Sequence, residues 1–125
     1  MEFSNVNWPA VIIGTVAAFA LGMIWFSPKM FGAGWAKGSH DIKTPASPPI
    51  PAMVIQFLGT FCLALVVGIT ATGDALLTAI LAILAAALMV AGMDLFSQKS
   101  HKATMIDAGY IVVGGVVMIL AQGIL

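Results

Sequence analysis

The chain reads as long apolar runs divided by short polar or proline-rich segments, with little of the strict alternation that a half-buried strand shows. Four runs stand out: Trp8 to Phe26, Pro51 to Thr70, Ala75 to Phe96 and Ala103 to Leu125. Each reaches the roughly 20 residues that a helix needs to cross the hydrocarbon of a bilayer. Helix is the predicted form, because lipid offers backbone groups no partner and the chain has too few alternating segments to close a barrel. The pattern therefore predicts an all-α membrane protein, one transmembrane domain over 1–125 with helices at about 8–26, 51–70, 75–96 and 103–125.

Composition strengthens this. The 125 residues are 61% hydrophobic and only 8% charged, with a mean hydropathy of +1.07, whereas a soluble domain carries about a quarter charged residues. The outward surface must then meet lipid. Formal charge is zero and arginine is absent, so no nucleic-acid or phosphate-binding surface is expected. The single cysteine, Cys62, excludes an internal disulfide and reads as inert packing inside an apolar run. Met1 to Asn7 holds Glu2 and no basic residue, so the first run is expected to remain as a span and not to be a cleaved secretory signal.

Every lysine falls in one of two connections: Lys29, Lys37 and Lys43 between the first and second spans, Lys99 and Lys102 between the third and fourth. Short lysine-rich loops stay cytoplasmic. Loops 27–50 and 97–102 are therefore expected inside, with both termini and the turn Thr72-Gly73-Asp74 on the opposite side. Trp8 and Trp25 bracket the first span about 25 Å apart at the helical rise, the spacing of the two interfacial belts. Pro9 suits a first helical turn. In the long connection Met30, Phe31 and Trp35 stand among glycines and are expected along the membrane surface. The interfacial anchors are thus Trp8, Trp25, Phe31 and Trp35. Thr44 to Pro51 holds four prolines and predicts an extended linker.

An internal echo links the halves. Gly22-Met23-Ile24-Trp25-Phe26-Ser27-Pro28-Lys29 and Gly92-Met93-Asp94-Leu95-Phe96-Ser97-Gln98-Lys99 share Gly, Met, Phe, Ser and Lys in register. Ala52, Ile55 and Gln56 correspond to Ala103, Ile106 and Asp107. Either the chain is a parallel two-plus-two duplication of helical hairpins, or apolar sequences match by chance.

Small residues recur every four positions: Gly14, Ala18 and Gly22; Thr60, Ala64 and Gly68; Ala87 and Ala91. Gly114 lies seven residues beyond Asp107. Such faces let backbones approach closely where water supplies no drive. They serve either packing within one bundle or the joining of subunits. Four short helices enclose little volume, so any solute path is expected between copies.

Polar residues within the spans are few: Gln56, Asp94, Asp107 and Tyr110, all near the lysine-bearing end. Ionisable groups in hydrocarbon are costly and mark candidate sites. Asp94 and Asp107 should lie at similar depth on adjacent helices, where a carboxylate pair could pass a proton or hold a cation. The structural alternative is equally concrete. Thr104-x-x-Asp107 reads as a capping box, and Asp94 can reach Lys99, His101 or Lys102. His40 is expected to be solvated beside Asp41. A metal is not expected from Asp94, His101 and Asp107, whose spacing matches no ligand set.

Trp25-Phe26-Ser27-Pro28, then Phe31-Gly32 and Trp35, and Ala108-Gly109-Tyr110 in the last run together resemble the family of membrane proteins catalogued as domain of unknown function 1761. The resemblance covers the whole chain and implies a small four-helix protein of a bacterial inner membrane, with no activity to carry over. Phe26 stands where that family often has Tyr, and Asp107 where His or Asn is common. No nucleophile with a base, phosphate loop or ligand cluster appears, so neither an enzyme nor a cofactor is expected. The leading expectation is a protein that works by helix association in the bilayer, as a homo-oligomer or an accessory subunit. The alternatives are a small proton- or cation-coupled transporter or channel using Asp94 and Asp107, and lipid handling by the Phe31/Trp35 segment.

Overall fold

The computed structural model describes residues 3–43 and 45–125. Glu2, expected on the lysine-free side, and Thr44, the first residue of the expected linker, lie outside the described residues with Met1. The described chain is all helical: α1 (Trp8–Trp25), α2 (Gly32–Gly38), α3 (Ile50–Thr72), α4 (Leu76–Phe96) and α5 (His101–Ile124). Four of these, α1, α3, α4 and α5, are long and apolar enough to span a membrane. They form a ring in which α1 touches α3 and α5, and α4 touches the same two. Helices α3 and α5 also touch across the ring.

Local chemistry explains the helix ends. Asn7 caps α1, its side-chain oxygen accepting from the Ala10 N–H at 3.2 Å, with Pro9 in the first turn. The α3 and α4 ends close in the same way. At each, the second residue past the helix is left-handed, Asp74 at φ 53° and Gln98 at φ 61°. The next N–H then reaches back to a carbonyl of the last turn, Ala75 to Thr70 at 2.9 Å and Lys99 to Asp94 at 3.0 Å. This is the Schellman closure, which satisfies orphan carbonyls at a helix end.

The α5 start corrects a sequence expectation. Ser100 is the N-cap, accepting from the Ala103 N–H at 3.0 Å. Thr104 and Asp107 therefore sit inside the helix and form no capping box, and the Thr104 hydroxyl has no hydrogen-bond partner. Helix α5 begins in the polar residues His101 and Lys102, ahead of the apolar run.

The small-residue faces pack largely inside the bundle. Gly14, Ala18, Thr60, Ala64, Gly68, Ala87 and Gly114 are buried, and Gly22 and Ala91 are half-buried. A Cβ on Gly14 would stand 3.4 Å from the Met118 backbone, so α1 and α5 approach closely there. Ile83 of α4 fits into the notch left by Gly115, where an added Cβ would come within 2.5 Å of its side chain. The packing is uneven along α3, however. Its buried residues, Thr60, Ala64, Val67 and Gly68, all lie from Thr60 onward. From Ile50 to Gly59 only Met53 is even half-buried. The first turns of α3 are thus largely uncovered, tied to α1 by the edge-on rings of Phe57 and Phe19 at 5.3 Å, and this splay borders the site.

Candidate functional site

Lys99 is the centre of a charged cluster between α4 and α5. Its Nζ lies 3.7 Å from Asp94 Oδ1 and 3.3 Å from Asp107 Oδ2. The α4 closure positions it: the left-handed Gln98 turns the chain so that the Lys99 N–H meets the Asp94 carbonyl, which returns the lysine side chain over the carboxylate of the same residue. Asp107 then approaches from the second turn of α5. Asp94 is buried, at 8% exposure, and its Oδ2 has no hydrogen-bond partner. The lysine ammonium also sits 5.6 Å from the ring centroid of Trp35, a distance at which a cation is attracted to the indole face.

Trp35 is carried by α2, and three contacts hold that short helix in place. The Ser100 N–H donates to the Gly38 carbonyl at 2.9 Å. Gly38 packs so tightly on the Ser100 hydroxyl that a side chain there would collide with it. Gly32 faces the Phe26 carbonyl with no room for a Cβ. The glycines that make α2 a poor helix by propensity are what let it lie close to α1 and α5. His40 is exposed, as a solvated side chain would be, and its Nε2 lies 2.7 Å from the Ser97 carbonyl, joining the end of α2 to the end of α4.

Beside the cluster lies a groove of about 840 Å³. Phe19, Gly22, Met23 and Phe26 form its α1 wall, Ala52, Met53 and Gln56 its α3 wall, and Asp107, Tyr110 and Ile111 its α5 wall, with Trp35 at one end. This space is a groove open at the surface of one copy, beside the uncovered first turns of α3. A second cavity of about 160 Å³ continues from it past Gln56 and Tyr110. A third, of about 250 Å³, lies at the lysine-free end near Asp74 and Gln122. Ile83, seated against Gly115, stands between the second and third.

The sequence-derived candidates divide on this geometry. Gln56, Asp107 and Tyr110 line the groove, and Asp94 stands behind Asp107. Tyr110 donates its hydroxyl proton to the Ala18 carbonyl at 2.8 Å. The aromatic anchors separate too. Trp8 is exposed, with its ring 6.5 Å from that of Phe3. Trp25 donates from Nε1 to the Ile106 carbonyl at 2.9 Å and packs on Phe31 at 4.6 Å. Trp35 stands edge-on to Phe26 at 5.4 Å. His101 is exposed. Lys99 itself, with Phe19, Phe26 and Met53, was not among the sequence-derived site residues. The reach of Asp94 to Lys99, His101 or Lys102 was the direct signal toward the lysine, beside its shared register with Lys29.

Residues 9–123 match the family described as "Protein of unknown function (DUF1761)". This four-helix membrane protein therefore belongs to that family. No curated protein and no solved structure matches the chain.

Proposed function

We propose that the protein is a non-catalytic membrane protein that holds a small amphipathic solute in the groove at its lysine-bearing end. The observation that carries this reading is the double position of Asp107, which lines an apolar groove of about 840 Å³ and also belongs to the Lys99 cluster. Binding pockets combine an apolar lining with a few convergent polar groups, and this volume is within their usual range. Tyr110 and Asp107 are each engaged by a fixed partner, Ala18 and Lys99, which suits binding better than turnover. Ile83 packs against Gly115 in the buried core beyond this end, and the reading is of binding from the lysine-bearing side. With the lysine loops inside, as their charge argues, the groove faces the cytoplasm and both termini lie outside a bacterial inner membrane.

Photolabelling in nanodiscs with a diazirine-bearing alkyl alcohol tests the reading. Labels concentrated on Met23 and Met53, and lost on filling the groove by Ala52→Trp, are the expected result. Labels spread evenly over lipid-facing residues such as Ile12 and Leu88 would remove the groove as a site.

A second reading, association as a homo-oligomer or an accessory subunit, is favoured by the first half of α3. There Ile50, Val54, Ile55 and Leu58 are all exposed, Ile55 at 71%, and Gln56 offers an amide that a neighbouring helix can bond. Mass measurement in nanodiscs decides this: a dimer or larger species, or a retained partner, supports association, and a strict monomer ends it.

A further inference from the structure

We infer that the groove takes a lipophilic organic monocation, its charged centre held at Asp107 and its apolar body among Phe19, Phe26 and Trp35. This rests on the groove being a binding site, and adds the sign of the ligand's charge and its chemical class.

Charge balance is the first support. Two carboxylates, Asp94 and Asp107, share one ammonium, Lys99, at 3.7 and 3.3 Å. The cluster carries a formal surplus of one negative charge, and of the two carboxylates Asp107 is the one that lines the groove, with Asp94 behind it. A buried charge without a counter-ion is costly. The other nearby basic groups do not supply one. Lys102 lies along α2 beside Gly34, His40 is bonded to the Ser97 carbonyl, and neither lines the groove. The surplus is thus available to a cation entering past Asp107.

The lining selects the kind of cation. A hard metal ion needs six or more oxygen ligands or keeps its water. Among the described residues, side-chain oxygens here come only from Asp107, Gln56 and Tyr110, and the remaining lining is aliphatic or aromatic, with the unpartnered indole N–H of Trp35 as its one further polar group. Organic cations are recognised instead by aromatic faces together with a carboxylate. Lys99 already demonstrates that recognition, holding an ammonium between two carboxylates and 5.6 Å from the Trp35 ring. A lipophilic cation repeats the same contacts from the groove side, with room for a body of several rings or a chain.

Displacement of the diazirine-bearing alkyl alcohol tests the inference separately from the site. Tetraphenylphosphonium and tetraphenylborate share one shape and differ in charge sign. Tetraphenylphosphonium should suppress labelling of Met23 and Met53, while tetraphenylborate at the same membrane concentration leaves it unchanged. Lys99→Gln removes the competing ammonium and should lower the required tetraphenylphosphonium concentration about tenfold, and Asp107→Asn should raise it about tenfold, as expected for one close charge screened by solvent. If Lys99→Gln does not fold, the Asp107→Asn comparison decides alone. Equal displacement by both ions, or by tetraphenylphosphonium regardless of Asp107→Asn, overturns the cationic ligand and leaves the groove as a site. Absence of groove labelling in the unsubstituted protein removes both.

Discussion

The Tyr110 hydroxyl donates a 2.8 Å hydrogen bond to the Ala18 carbonyl, joining α5 to α1 in the buried part of the bundle. The contact depends on Gly22, one turn further along α1, where an added Cβ would come within 2.9 Å of the phenol oxygen. Tyr110→Phe keeps the ring and removes the bond, and should lower stability by about 1 kcal/mol, the usual worth of an interhelical hydrogen bond. Gly22→Ala should cost at least as much by displacing the whole phenol. Thermal melting in detergent, followed by tryptophan fluorescence, measures both.

Ile83 of α4 packs into the notch at Gly115 of α5. Gly115→Ala should destabilise by about 1–3 kcal/mol, because the Ile83 side chain is confined on every side. Ile83→Ala gives back the room, so the double variant should be more stable than the sum of the two single losses predicts. Denaturant-induced loss of helicity in mixed micelles, read for all four proteins, yields the coupling directly.

Gln98 holds a left-handed backbone at φ 61° in the turn that returns Lys99 to Asp94. A residue with a Cβ pays roughly 1–2 kcal/mol for that conformation, and glycine does not. Gln98→Gly should therefore raise the melting temperature and Gln98→Val should lower it. The same pair at Asp74, φ 53° in the α3–α4 turn, should behave alike without touching the cluster.

The sequence made the spans legible because apolar length alone separates a membrane helix from its connections. The nearness of Asp94 and Asp107 to one another was legible from their places, each a few residues from the same lysine-bearing loop. The start of α5 was not. An apolar run begins at Ala103, but a helix begins at its cap, and Ser100-His101-Lys102 has the composition of a loop while serving as the first turn.

The groove was hidden for a deeper reason. In water, the polar face of a helix tells which side is outward. In lipid, Val54, Ile55 and Leu58 on the splayed half of α3 look the same as Val67 in its packed half. Nothing in composition separates contact with lipid from contact with another helix. Trp35 was similarly ambiguous, since an indole placed at a membrane surface and one folded beneath a lysine need the same amphipathic residue.

A double-mutant cycle on Lys99 and Asp107, measured as unfolding free energy in one detergent, tests most directly whether the lysine-bearing end holds a single charged unit. Lys99→Gln should cost about 1–3 kcal/mol by leaving two carboxylates uncompensated, and Asp107→Asn in that background should recover much of the loss, a coupling of at least about 1 kcal/mol. Losses that add to within about 0.5 kcal/mol would contradict it, since residues that share no interaction add independently.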